Sequence, residues 1–236
     1  MLQKGDVCLI TGVGEGTGLS CVRKFANQGY RVAMLARNKE RLERIEKDLD
    51  HAYSFPCDVA NLDNLMETCK KIKRDLDSPT IFIHNAVRGN FETILEGNPE
   101  WLEINFRINT TSFLHTAQLL VPDMIKLGRG CIIVTGNTAA KRGIAKTPYF
   151  APTKAAQRIL AQSLARYLGP KNIHVAYLII DAAIDTPSTR PRLQPNKPDS
   201  FFCLPKDIAD EIYYIAHQDK SAWSFDVELR PDIENW

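Results

Sequence analysis

A chain of 236 residues is long enough for one large core, and 30 Lys and Arg against 28 Asp and Glu leave a formal charge of only +2. Charge so balanced gives no reason to expect nucleic acid or a membrane surface as a partner, and no apolar run is long enough to cross a bilayer. The six cysteines form no C-x-x-C pair and the five histidines are dispersed, which argues against a metal site and for reduced thiols in a cytoplasmic protein.

Met1 to Asp6 has no signal-peptide h-region and runs into Val7–Ile10, a short apolar strand. A glycine-rich turn follows, then Leu19, Val22, Phe25 and Ala26 at helical spacing, with Gly29 as a C-cap. Val32 to Ala36 reads as a second buried strand, and Leu42, Ile45 and Leu49 mark a highly charged helix. A strand near Tyr53–Phe55 leads to Asp58 and to a helix over Leu62, Leu65, Met66, Cys69 and Ile72. Thr80–Ile83, Cys131–Thr135 and Val175–Ile180 are further buried strands, with long helices around 100–126 and 150–169 between them. Trp223 to Leu229 alternates like a last strand. The stretch from Pro187 to Pro205 has little periodicity, so residues 186–204 are expected to form a loop that shapes a substrate pocket. Apolar strands alternating with helices imply an α/β fold: a single domain over 1–236, Rossmann-like, with a doubly wound parallel sheet and helices on both faces.

Thr11-Gly12-Val13-Gly14-Glu15-Gly16-Thr17-Gly18 closes the first strand and opens the first helix. Glycines there let the backbone turn tightly and approach a pyrophosphate, which the helix N-terminus binds through free N–H groups and its dipole. In this strand–turn–helix setting the pattern points to a dinucleotide. The second strand ends Ala36-Arg37-Asn38, without the acidic residue that would accept from a ribose 2′-hydroxyl. Arg37 can instead form charge-assisted bonds to a 2′-phosphate, which favours NADP, with NAD the alternative; Arg37 also reads as the start of a solvated charged helix, and the acidic Glu15 in the glycine turn weighs slightly against NADP.

With Thr11, Gly12, Gly16 and Gly18 as T-G-x-x-x-G-x-G, the chain resembles the short-chain dehydrogenase/reductase family over essentially its full length. Cys57-Asp58-Val59 is similar to the family's acidic position beside the adenine, and His84-Asn85-Ala86-Val87 resembles its N-N-A-G turn, keeping Asn85 and Ala86. The resemblance implies that Asn109, followed by Phe113, maintains a proton relay. It also implies that Lys154 holds the nicotinamide ribose, that Thr186 contacts the carboxamide, and that the long helices pair with a second subunit in a homodimer or homotetramer. Ala155, Ile159, Leu160, Ser163 and Leu164 supply a face for such pairing or for covering the sheet.

The catalytic motif departs from the family. The family's tyrosine lies four residues before its lysine, a spacing that puts both on one helical face; here that place is Phe150, and Tyr149 is one residue out of register. The family serine thirteen places before the tyrosine is matched by Asn137, whose amide can donate to an oxyanion, with Thr138 a neighbouring hydroxyl. Asp181-Ala182 stands where the family has Pro-Gly, bringing a carboxyl toward the nicotinamide face. Phe150 with Lys154, and Ile180-Asp181-Ala182-Ala183-Ile184-Asp185, resemble an atypical subset with Phe in place of the catalytic Tyr. Tyr149 is the first candidate for a substitute proton donor if the helix start rotates inward; Asp181 and His84 are weaker ones, and Lys141 with Arg142 is a basic pair that suits an acidic substrate or plain solvent.

The leading expectation is an NADP(H)-dependent oxidoreductase moving hydride to or from a small carbonyl or alcohol substrate. The alternative is a catalytically silent dinucleotide-binding sensor or scaffold. An enoyl reductase is disfavoured, because that branch has tyrosine seven residues before the lysine, where this chain has Thr147.

Overall fold

Strand β1 (Val7–Thr11) is buried at every position: Val7 and Leu9 enter one core while Cys8 and Ile10 enter the other. Alternation of side chains across the sheet makes this the only way an unbroken apolar strand is satisfied, with helices on both faces. The computed structural model describes residues 2–193 and 196–234. In it α1 (Thr17–Asn27) leads to β2 (Arg31–Ala36), α2 (Lys39–Asp48), β3 (Ala52–Pro56), α3 (Leu62–Leu76) and β4 (Ile81–His84). A long helix follows as α4 (Glu100–Phe106), a π-turn (Arg107–Thr111) and α5 (Ser112–Leu127), then β5 (Gly130–Asn137) and α6 (Ala151–Leu168). The chain closes with β6 (Ile173–Ile180), β7 (Ala183–Ile184), α7 (Thr189–Leu193), β8 (Phe202–Cys203), α8 (Pro205–Ala216) and β9 (Asp226–Leu229).

Seven strands form one parallel sheet in the order β3-β2-β1-β4-β5-β6-β9. This is the expected doubly wound, single-domain Rossmann-like architecture. The chain leaves β1 to one side for β2 and β3, then returns to the other side for β4. The crevice between the C-terminal ends of β1 and β4 is therefore where such a sheet binds ligands. Register places Thr11 opposite His84, and His84 opposite Val134, so β1 and β4 end level while β5 runs on to Asn137.

Local signals explain the helix starts. Asn38 and Asn61 each accept a backbone N–H from three residues on, which caps α2 and α3. Gly29 lies in the left-handed region after α1 and ends it, as its position suggests.

The segment 186–204 is more ordered than its lack of periodicity implies, although residues 194 and 195 lie outside the described residues. Asp185 and Asp199 both pair with Arg190, and β7 pairs with β8 through Ala183–Phe202 and Ile184–Cys203. Two-residue strands are too short to carry a period in the sequence. The last strand is also shorter than its alternation: Trp223 stacks on His174 instead of joining the sheet, with ring centroids 4.8 Å apart.

Gly12 fixes the start of the site. Its φ is +73°, and a Cβ there would lie 2.6 Å from the Ala86 backbone. Left-handed strain and a backbone collision act together, so Gly12→Ala is expected to cost at least about 2 kcal/mol. Thermal unfolding monitored by circular dichroism should show a fall in Tm of roughly 4–8 °C.

Candidate active site

The glycine turn is held by backbone pairing: Gly12 and Val13 donate to the Leu35 carbonyl, and Gly14 donates to Gly12. A Cβ on Gly18 would lie 2.5 Å from the Gly12 carbonyl oxygen, so that glycine lets α1 pack against the turn. Gly14 has open space where a side chain would be. Among the described residues, no side chain caps α1, no acid lies in its first turn, and the buried Thr17 hydroxyl has no partner. Unmet donors around open space, at the positive end of a helix, fit an anionic pyrophosphate.

From there a cleft of about 770 Å³ runs past Ala36, Arg37, Asn38 and Arg41 to Cys57, Asp58 and Val59, with Ala86, Val87 and Arg88 on its other wall. Arg37 is exposed at its lip, and among the described residues neither Arg37 nor Arg41 is in an ion pair. Asp58 turns its carboxylate to the Ala60 N–H. At the opposite end, the Thr186 methyl would lie 2.7 Å from a Cβ on Gly16, so the segment after β7 closes over the glycine turn. The Thr186 hydroxyl meets those of Ser188 and Thr189. Glu15 is exposed on the outer edge of the turn.

The strand ends behind this cleft are tied together by neutral hydrogen bonds. Thr11 Oγ1 and His84 Nδ1 are 3.1 Å apart, and the Thr11 oxygen also accepts from the N–H groups of Asn85 and Ala86. Asn85 donates to the Gly12 carbonyl at 2.9 Å and accepts from Thr135 at 3.0 Å. Asn109 sits in the π-turn, a widening common at functional sites. Its side chain grips both backbone groups of Arg88 and donates to Thr153 at 2.8 Å. Its carbonyl accepts from Gln157 and lies 3.2 Å from His84 Nε2.

Lys154, at 1% exposure, is among the largest buried side chains. Its ammonium donates to the Thr135 carbonyl at 3.0 Å and to the Gln157 side chain. Burial pulls its pKa from 10.5 down to about 7. Burial first, and the Lys154 charge second, pull His84 from 6.5 down to about 3, so its ring is neutral.

Phe150 occupies the place four residues before Lys154. It is buried, and its ring packs at 5.4 Å on Phe91 from the loop between β4 and α4. Tyr149 does not take its place. The Tyr149 ring fills the space beside Gly97, where a Cβ would lie 2.0 Å from it, and packs edge-on against Trp101. Its hydroxyl donates to the Ile94 carbonyl at 3.3 Å, and Asn105 fixes its backbone carbonyl. The inward rotation that would make Tyr149 the proton donor is therefore absent; α6 begins only at Ala151, so Tyr149 lies in the preceding turn, where helical spacing does not apply.

Other candidates are separated in the same way. Asn137 Oδ1 caps the short turn Thr138–Ala140 through the Ala139 N–H, leaving its amide N–H groups for a ligand. Asp181 faces Arg230 at 3.9 Å, a partner the sequence did not suggest, and Lys141 pairs with Glu228. Gln157 and Tyr177, both buried beside Lys154, were missed: they read as ordinary helix and strand residues. The one available signal was an amide on the buried face of α6, one turn after the lysine.

The sheet order, the glycine cradle and the buried lysine together define a nucleotide-dependent oxidoreductase of the doubly wound class. The family model described as short chain dehydrogenase matches residues 6–197, and the chain belongs to this family. An uncharacterized oxidoreductase of Staphylococcus aureus (strain USA300) is 24% identical over 233 residues, covering 95% of this chain and 96% of its own. Among solved structures, an alcohol dehydrogenase from the archaeon Thermococcus sibiricus complexed with 5-hydroxy-NADP is similar with a TM-score of 0.86 and 24% identity, over 98% of each chain. A metagenomic short-chain oxidoreductase in complex with NADP gives a TM-score of 0.83 at 23% identity, covering 98% of this chain and 99% of that one. Among the described residues no helix is long and apolar enough to cross a membrane.

The neutral His84 has a measurable consequence. Between pH 6.5 and about 3 the folded protein binds fewer protons at His84 than the unfolded chain, so stability falls as the pH drops through that window. His84→Asn is expected to flatten this acid limb, read as a smaller difference between urea midpoints at the two ends of the window.

Proposed function

We propose that this chain is an NADP(H)-dependent oxidoreductase of carbonyl or alcohol substrates whose proton is handled by Lys154 in place of a phenol, within an atypical, Phe-containing subset of the family. The observation that carries this reading is the junction of cradle and lysine: Lys154 bonds to Thr135, Thr135 to Asn85, and Asn85 to the Gly12 carbonyl. Thr11, Gly12, Gly14, Gly16 and Gly18 would hold the pyrophosphate, Asp58 and Val59 the adenine, Asn85, Ala86 and Thr186 the nicotinamide half, and Arg37 with Arg41 the 2′-phosphate. The bound cofactor supplies the hydride. Asn137 would donate its amide N–H to the substrate oxygen, and the Lys154 ammonium would give that oxygen its proton, leaving a neutral amine. An acid with a pKa near 7 is matched to that task at neutral pH. Asn109 would hold the rim through Arg88.

Val87, Phe91, Ile94 and Leu95 are exposed apolar residues on the loop that carries Phe91 to Phe150, which favours an apolar substrate body, with 186–204 closing the far side. Exposed Ile159 and Tyr167 on α6 favour pairing with a second copy of the chain.

Two outcomes test the reading. Arg37→Ala should weaken NADPH binding about 10- to 100-fold, equivalent to one lost charge-assisted interaction, and leave NADH binding unchanged in fluorescence titrations. With NADPH and a panel of aliphatic and aromatic ketones and aldehydes, wild type should turn over slowly and Lys154→Met should lose activity. Tyr149→Phe should match wild type, and Phe150→Tyr should be faster by roughly 10²-fold. NADPH binding with turnover confined to Phe150→Tyr would instead mark the wild-type chain as a silent dinucleotide binder.

A further inference from the structure

Among the described residues, no carboxylate pairs with the ammonium of the buried Lys154. The titratable groups that face it are His84 on β4, which is neutral, and Tyr177 on β6, whose phenol burial pushes up and keeps protonated. Arg158 and Asp226 pair with each other beyond Tyr177. From the π-turn only the neutral Asn109 and Thr110 approach α6 at this level. The ammonium therefore rests on two neutral acceptors, the Thr135 carbonyl and Gln157 Oε1.

Gln157 is the hub of that arrangement. It is fully buried one helical turn after Lys154. Its Oε1 accepts from Lys154 and from the Tyr177 hydroxyl at 3.2 Å, and its Nε2 donates to the Asn109 carbonyl. Both of its amide atoms thus bond to groups that border the site. Gly136 makes room for the Tyr177 ring, because a Cβ there would lie 2.2 Å from it. An amide costs free energy to bury among apolar neighbours unless its bonds are met, and here partners come from β6, α6 and the π-turn.

We propose that Gln157 is a positioning residue for Lys154: its carbonyl oxygen holds the ammonium beneath the start of α6, and Tyr177 and Asn109 hold the amide in turn. The inference rests on the reading of Lys154 as the proton-handling group. Gln157 also joins Lys154 to the Asn109 carbonyl through an amide, which passes protons poorly.

The test uses the intact protein labelled with [6-13C]lysine, following the Lys154 signal against pH; Lys154→Met assigns it. Gln157→Met is near-isosteric and removes an acceptor that favours the charged amine, so the Lys154 midpoint should fall by about one pH unit. Gln157→Glu supplies a carboxylate and should raise the midpoint by about as much or more. Tyr177→Phe leaves Gln157 Oε1 wholly to Lys154 and should raise it slightly, which keeps the proposal testable where Gln157→Met does not fold. The pH dependence of NADPH binding, read by fluorescence titration, should move in the same directions. Midpoints that stay put in the Met and Glu variants, with only Tm lowered, would reduce Gln157 to a packing residue and overturn the proposal. Midpoints that move while NADPH binds to no variant would sustain the positioning role and remove the NADP(H)-linked function.

Discussion

At the C-terminal ends of β1, β4 and β5, strand-end carbonyls and N–H groups are met by neutral side chains and by the ammonium of Lys154. Every feature of the site depends on how those groups are met. Thr11 serves two N–H groups of the next strand connection and His84, Asn85 ties that connection back to Gly12, and Asn109 ties it forward to Thr153. Because the partners are neutral, the lattice is stable without a counter-ion, and the one ammonium it contains is held by dipoles alone. Burial softens the basicity of Lys154, and burial first and the Lys154 charge second keep His84 uncharged.

The fold was largely legible because buried strands and amphipathic helices differ in period, and β1 to β6 and α1 to α6 each span enough residues to express one. Turn chemistry added the C-cap at Gly29 and the glycine cradle. The pair β7–β8 was illegible for the converse reason: its stability comes from Arg190 gripping Asp185 and Asp199, a set of contacts made only after the chain has folded back.

The site was legible only where a residue's role follows from its local element. Gly12 and Gly18 are demanded by backbone geometry, and Lys154 by its place on α6. Tyr149 illustrates the limit. Its distance from Lys154 along the chain was measured on a helix that had not yet begun, and its ring instead serves Gly97 and Trp101. Gln157 and Tyr177 lie twenty residues apart in the chain and meet only through the packing of α6 on β6. Asp181 likewise reads as a free carboxyl until Arg230 is placed beside it.

The π-turn at Arg107–Thr111 bears on how this region tolerates changes of length. A π-turn houses one more residue than regular helix over the same stretch, so losing a single residue there would restore ordinary α-helix at little local cost. The flanking helices would keep their phase, because the wide turn absorbs the extra residue within itself. Asn105 would stay on the Tyr149 carbonyl and Trp101 against the Tyr149 ring. The residues of the turn would be re-aimed instead, drawing Asn109 off Arg88 and Thr153. The extra residue therefore acts locally: it opens the wall of one continuous helix where Asn109 reaches the strand ends, and leaves the elements on either side undisturbed.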